Sequence, residues 1–180
     1  MDLEWNQCPD GREAEDAQLP FEIIEIGAVK LNKDRDIVSE FHEMIKPKVY
    51  HWINSKTREI VHLDYSSLKD GTPFPQAARR FFSWCGGEPK FCTWGDQDLM
   101  ELQRNLKYYG MEGLLPGPLE YYDVQKLFSL CYEDGRVRRA LEYAVDLLDL
   151  EKREDFHRAL ADARYTAEVF RRGDKACIRR

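Results

Sequence analysis

Two stretches decide the fold: Met1-Asp2-Leu3-Glu4-Trp5, and the apolar run Ile23-Ile24-Glu25-Ile26-Gly27-Ala28-Val29 that follows it. The second is apolar on both faces and rich in isoleucine and valine, the pattern of a strand central to a sheet. The first places carboxylates at i and i+2. On a strand, alternate side chains share a face, so Asp2 and Glu4 point the same way with Cα atoms roughly 6.6 Å apart. Both can then reach one hard cation such as Mg²⁺ or Mn²⁺, which neutralises phosphate charge and lowers the pKa of an attacking water. Acidic pairs also occur on solvated strands, so the pair alone does not identify a metal site.

Working outward, Cys8 to Pro20 is too polar to pack and reads as a loop, with the acidic run Glu13-Ala14-Glu15-Asp16 inside it. Phe21 to Leu31, the polar turn Asn32 to Asp36 and the alternating run Ile37 to Ile45 form a hairpin. Helical spacing begins with Ile53, Ile60 and Leu63, and a helix from Pro75 to Cys85 ends at Gly86-Gly87. Pro89 to Thr93 is a short strand, and Asp96 to Tyr109 a helix with Gly110 as its C-cap. The glycines and prolines between Gly113 and Pro118 mark a loop. Leu119 to Val124 is a strand, Gln125 to Tyr132 a short helix, and helices over Arg138 to Leu148 and Arg158 to Arg172 close the chain. Strands first, then alternating strands and helices, predict an α/β domain with an antiparallel first half, parallel later strands and helices on both faces.

The 180 residues and 43% hydrophobic content suit one domain over 1–180. The net charge of −6 excludes a global basic field, so a polyanionic substrate needs local help. Bound metal ions could provide it, as could the clusters Arg136, Arg138, Arg139 and Arg171, Arg172, Lys175, which read equally well as solvated faces. Cys8, Cys85, Cys92, Cys131 and Cys177 form no C-x-x-C pair and fit reduced thiols. No signal peptide or span-length apolar run is present, so the expected location is soluble and cytoplasmic, with no membrane partner.

Ligands gather at the C-terminal ends of strands in such sheets, which draws attention to Asp96 and Asp98. Asp96 precedes its helix as a natural N-cap. Steps of three and four from Asp98 reach Leu102, Asn105, Leu106 and Tyr109, the mostly apolar face. Steps from Asp96 reach Met100, Gln103 and Arg104. Asp98 therefore faces the sheet and is the chemical candidate. On the last helix Asp162 lies five residues after His157, and Ala159, Ala161 and Ala163 let the backbone approach a sheet closely. Within one helix His157 and Asp162 would stand about 140° apart, which puts His157 at or before the helix start. There a half-exposed imidazole can act as a general base near neutral pH. His42, His51 and His62 lack such a partner and read as surface or packing residues. Glu25 reads as an ion-paired or hydrogen-bonded structural group.

Asp2-Leu3-Glu4-Trp5, Thr93-Trp94-Gly95-Asp96-Gln97-Asp98 and His157-Arg158-Ala159-Leu160-Ala161-Asp162-Ala163 occur in this order across nearly the whole chain. Together with Glu25-Ile26-Gly27-Ala28-Val29, they resemble the DEDDh, or DnaQ-like, 3′ to 5′ exonucleases. The Trp-Gly-x-x-Asp form is most similar to the branch of the histone-mRNA 3′-end exonuclease and its bacterial relatives. The resemblance implies a ribonuclease H-like fold with a mixed five-stranded sheet. It implies two-metal hydrolysis, with two Mg²⁺ or Mn²⁺ ions, of terminal phosphodiesters at single-stranded RNA or DNA 3′ ends, RNA favoured, releasing nucleoside 5′-monophosphates. Asp2, Glu4 and Asp162 would hold one ion, Asp2 would bridge to the second with Asp98 in support, and His157 would take the proton. Trp5 and Leu3 would contact the substrate, Trp5 by stacking on the terminal base or else by packing behind the strand. The other class compatible with the chain is a catalytically silent nucleic-acid- or protein-binding module on the same fold. Family members carry several apolar residues before the first aspartate where this chain has only Met1, so the expectation is a first strand truncated at its N-terminus.

Overall fold

A computed structural model describes residues 1–11, 14–115 and 117–177, with side chains described as far as Gly173. Glu13 of the acidic run, Pro116 of the loop and the side chains of Lys175 and Cys177 lie outside the described residues. Strands β1 (Asp2–Gln7), β2 (Phe21–Leu31) and β3 (Ile37–Lys46) pair antiparallel in that order. β2 is central, and its residues from Glu22 to Ala28 are all buried. A two-residue strand β4 (Thr72–Pro73) adds to β3 in parallel. β5 (Phe91–Thr93) and β6 (Tyr121–Asp123) pair in parallel. The α/β class with an antiparallel first half and parallel later strands is therefore present. Its hydrogen-bonded ladders form a four-stranded and a two-stranded sheet. The Met1 ammonium joins them by donating to the carbonyl of Cys92 (2.8 Å). Past the Asp2–Gly27 pair, a cavity of about 670 Å³ lies between Ala28–Leu31 and Pro89–Cys92.

The helices are α1 (Ser55–Val61), α2 (Tyr65–Leu68), α3 (Phe74–Cys85), α4 (Gln97–Tyr108), α5 (Val124–Tyr132), α6 (Leu141–Leu147) and α7 (Ala159–Cys177). One core joins Leu3, Ile23, Ile26 and Ala28 to Phe81 of α3 and to Leu99, Leu102 and Leu106 of α4. A second packs Phe128 of α5 and Val145 of α6 on Ala161, Tyr165 and Val169 of α7. A third seats Ile24 under Val61 and Leu68 of α1 and α2.

Two elements differ from the sequence reading. The helix expected over Arg138 to Leu148 forms only from Leu141. Trp94 Nε1 (3.0 Å) and Gln125 Nε2 (2.8 Å) both donate to the Arg139 carbonyl, and Ala140 is extended (ψ 154°), which holds the preceding residues out of the helix. Asp96 stands at the N-cap of α4 but makes no capping hydrogen bond with its side chain, because its backbone is already helical (φ −106°, ψ −10°) where an N-cap side chain works from an extended backbone. Cys8, Cys85 and Cys92 are free thiols, whereas Cys131 is disulfide-bonded, which corrects the expectation of uniformly reduced cysteines. Among the described residues no helix is long and apolar enough to cross a membrane.

Candidate active site

The pleat of β1 sorts its first residues. Met1 and Leu3 enter the core, while Asp2 and Glu4 stand half-buried on the other face. Oxygens of Asp2, Glu4 and the buried Asp162 lie within 4.8 Å of one another. Asp162 is in the first turn of α7, and its Oδ2 accepts the backbone N–H of His157 (3.1 Å). Its Oδ1 is buried with no hydrogen-bond partner. Such an orphaned oxygen is costly unless something cationic meets it.

His157 precedes α7, is exposed, and adopts a left-handed backbone (φ 65°) that is uncommon for a residue with a side chain. That turn directs its N–H at Asp162 and leaves the imidazole at the rim. α7 can reach this position because β2 has no side chain where the helix crosses it. A Cβ on Gly27 would stand 2.1 Å from the Ala159 carbonyl carbon and the Leu160 nitrogen. The small residues of α7 thus have a reciprocal partner that periodicity could not reveal; a glycine inside an apolar strand was the available signal.

Asp98 arrives from the opposite side. It is 5% exposed, on the same buried face of α4 as Leu102, Asn105 and Leu106, whereas Asp96 is exposed. Its Oδ1 accepts the Leu3 N–H (3.0 Å), so it braces β1; it lines the same cleft but is not among the three carboxylates that converge within 4.8 Å. Burial and mutual repulsion hold protons on this set. Asp2 is raised well above the usual carboxylate range, by burial first and then by Asp98, Glu4 and Asp162. Burial, then Asp162, Glu25 and Asp98, lift Glu4 to about 8, burial lifts Asp98 to about 7, and burial lifts Asp162 to about 6. Crowded carboxylates and an unpartnered buried oxygen are the donor set a hard divalent cation fits.

The four carboxylates and His157 line a cleft of about 370 Å³. The β1–β2 register shifts between Glu4 and Trp5, and such bulges raise the local twist. Trp5 accordingly lines the cleft with Glu4 although strict alternation turns it away, while its ring also meets Phe21 edge-on (6.0 Å). Leu3 contributes to the wall but is only 3% exposed. Thr57 and Ile60 of α1, with Trp94, Gln97 and Leu141, complete the walls and were not anticipated. Ile60, read from its spacing only as part of a helix, is 47% exposed, which no sequence pattern signalled. The candidate basic patches are mostly paired: Arg138 with Asp123 and Gln125, Arg139 with Glu133, Arg171 with Asp36 and Glu168.

The sequence model of the exonuclease family RNase_T matches residues 14–170. The chain is 28% identical over 149 residues to a PolC-type DNA polymerase III of Caldanaerobacter subterraneus, an alignment covering 83% of this chain but 10% of that polymerase. The nuclease domain of 3′hExo, a DEDDh family member solved with rAMP, superposes with a TM-score of 0.79 at 18% identity, over 97% of this chain and 89% of that one. Escherichia coli exonuclease I, solved with a dA16 oligonucleotide, gives 0.76 at 14% identity, over 99% of this chain and 40% of that one. At such identities the structural likeness speaks for the fold alone. With most of its length matched to the family and its acidic cleft on that fold, the chain belongs to the RNase_T exonuclease family and has the fold of the DEDDh 3′ to 5′ exonucleases.

Proposed function

We propose that the cleft removes nucleotides from the 3′ end of single-stranded nucleic acid, RNA in preference to DNA, as nucleoside 5′-monophosphates. The observation that carries this reading is the convergence of Asp2, Glu4 and Asp162 within 4.8 Å, with Asp162 Oδ1 unpartnered and His157 at the rim. Asp2, Glu4 and Asp162 would hold one Mg²⁺ or Mn²⁺ ion, with Asp2 and Asp98 serving a second. When bound, such ions neutralise phosphate charge and acidify a coordinated water. The imidazole of His157 takes the proton of the attacking water and passes it to solvent, since it is exposed. Trp5 offers a ring to the terminal base, and Leu3 a floor beneath it. The preference for RNA draws support from neighbours of the same fold solved with rAMP and with a histone mRNA stem-loop.

The test follows 3′-labelled and 5′-labelled single-stranded RNA and DNA with Mg²⁺, Mn²⁺ or EDTA. Loss of the 3′ label as mononucleotide, abolished by EDTA and faster on RNA, is expected. Cleavage that persists in EDTA, or binding without cleavage under every condition, rejects hydrolysis at this site. The latter result would favour a silent binding module.

A further inference from the structure

Arg158 stands between the exposed His157 and the first residue of α7, and its guanidinium reaches back to the sheet. Nε and Nη2 donate to Glu25 Oε2 (3.3 Å) and Oε1 (3.2 Å). Glu25 is fully buried, sits opposite Glu4 in the β1–β2 ladder, and has His42 Nε2 2.7 Å from its Oε1. The Arg158 carbonyl accepts the first intrahelical bond of α7, from the Asp162 N–H (2.9 Å). The same residue therefore anchors the turn that carries His157 and the turn that carries Asp162. Two residues along β2, Gly27 fixes how deeply the helix sits. A guanidinium fork matches both oxygens of a carboxylate in one fixed geometry, which the point charge of a lysine does not impose.

We propose that Arg158 is a positioning residue of this site, clamping the left-handed turn at His157 onto the buried Glu25 so that the imidazole is held over the Asp2–Glu4–Asp162 cluster. This rests on the hydrolytic reading of the cleft. Arg158 acts through His157 and Asp162 and touches no reacting atom. Partners that orient a functional group in this way are worth about 10- to 100-fold when removed from metal sites.

The experiment compares wild type, Arg158→Ala, Arg158→Lys and Glu25→Gln on 3′-labelled single-stranded RNA with Mg²⁺. Thermal melts and the NMR signals of the His157 ring are recorded on the same samples. Arg158→Ala is expected to lose kcat by about 10- to 100-fold with KM within about twofold, to shift the His157 signals, and to regain part of its rate with added guanidinium. Arg158→Lys keeps the charge but not the fork and is expected to stay well below wild type; it also serves where the alanine variant does not fold. A folded Arg158→Ala with wild-type kcat and unmoved His157 signals overturns the proposal while leaving the hydrolytic reading intact. So does a loss that tracks the fall in Tm and is not restored by guanidinium. If wild type itself cleaves nothing, the hydrolytic reading fails, and unmoved His157 signals in Arg158→Ala would then overturn the clamp separately.

Discussion

Two helices, α4 and α7, each deliver an aspartate of their first turn to β1, and they do so differently. Asp98 of α4 spends Oδ1 on the Leu3 N–H, so it is tied to the strand it approaches. Asp162 of α7 takes a side-chain hydrogen bond from the chain just ahead of its own helix, its other oxygen is left buried and unpartnered, and its carboxylate converges with those of Asp2 and Glu4. The approach to α7 is constrained by a left-handed residue, an ion pair from Arg158 to the buried Glu25 and a close crossing over Gly27. Before α4, Gly95 is left-handed and Asp96 is exposed and makes no side-chain cap. The contrast fits the proposed roles: Asp162 keeps an oxygen free for a cation, while Asp98 supports the second ion's site and also braces β1.

The largest effect should come from Asp162→Asn, which keeps the shape and the His157 hydrogen bond but removes the charge. A loss on the order of 10³-fold in kcat is expected, the equivalent of several kcal/mol of charge stabilisation. Asp98→Ala should cost both activity, about 10²-fold, and melting temperature, because the Leu3 N–H loses its acceptor. Asp96→Ala should leave both nearly unchanged. An Asp98→Ala variant that loses as much turnover as Asp162→Asn with no fall in melting temperature would dissolve the distinction between ligand and brace, and an inactive Asp96→Ala would show that the wrong aspartate of α4 was chosen.

Gly27→Ala tests the crossing that places α7. A new Cβ 2.1 Å from helix backbone cannot be absorbed by side-chain motion, so a destabilisation of about 3 kcal/mol or more is expected, read from denaturant unfolding. Normal stability would show that α7 sits elsewhere.

The smallest effect is electrostatic. Glu4, Asp98 and Asp162 hold their protons to about 8, 7 and 6 in the folded chain, against about 4 for carboxylates in the unfolded one. Folding therefore takes up protons between these limits, and the contribution of these groups to stability falls as pH rises through that window. In EDTA the melting temperature of wild type, relative to Glu4→Gln, should drop from pH 6 to pH 8. Mg²⁺ should reverse the trend, since it binds the deprotonated set. A wild-type advantage that grows with pH in EDTA would mean the carboxylates are not crowded.

Much of this was legible locally. Alternation put Asp2 and Glu4 on one face, helical periodicity chose the inward face of α4 through Asp98, Leu102 and Asn105, and the 140° angle between His157 and Asp162 placed the histidine outside its helix. Each rests on a repeat of 2 or 3.6 residues, a property of contiguous residues. The late start of α6 was not legible, because the donors that hold Arg139 are Trp94 and Gln125, 45 and 14 residues earlier in the chain.

Hydrophobic periodicity alone dictates the α/β class, the strand that carries the first acidic pair and the face of each helix, since it decides which side of an element leaves water. Long-range packing settles which carboxylates meet, that Gly27 admits α7, that a register shift accompanies Trp5 at the cleft, and that Glu25 is matched by Arg158 and His42. Those depend on contacts between residues far apart in the chain, 133 positions for Glu25 and Arg158, whose geometry no local repeat encodes.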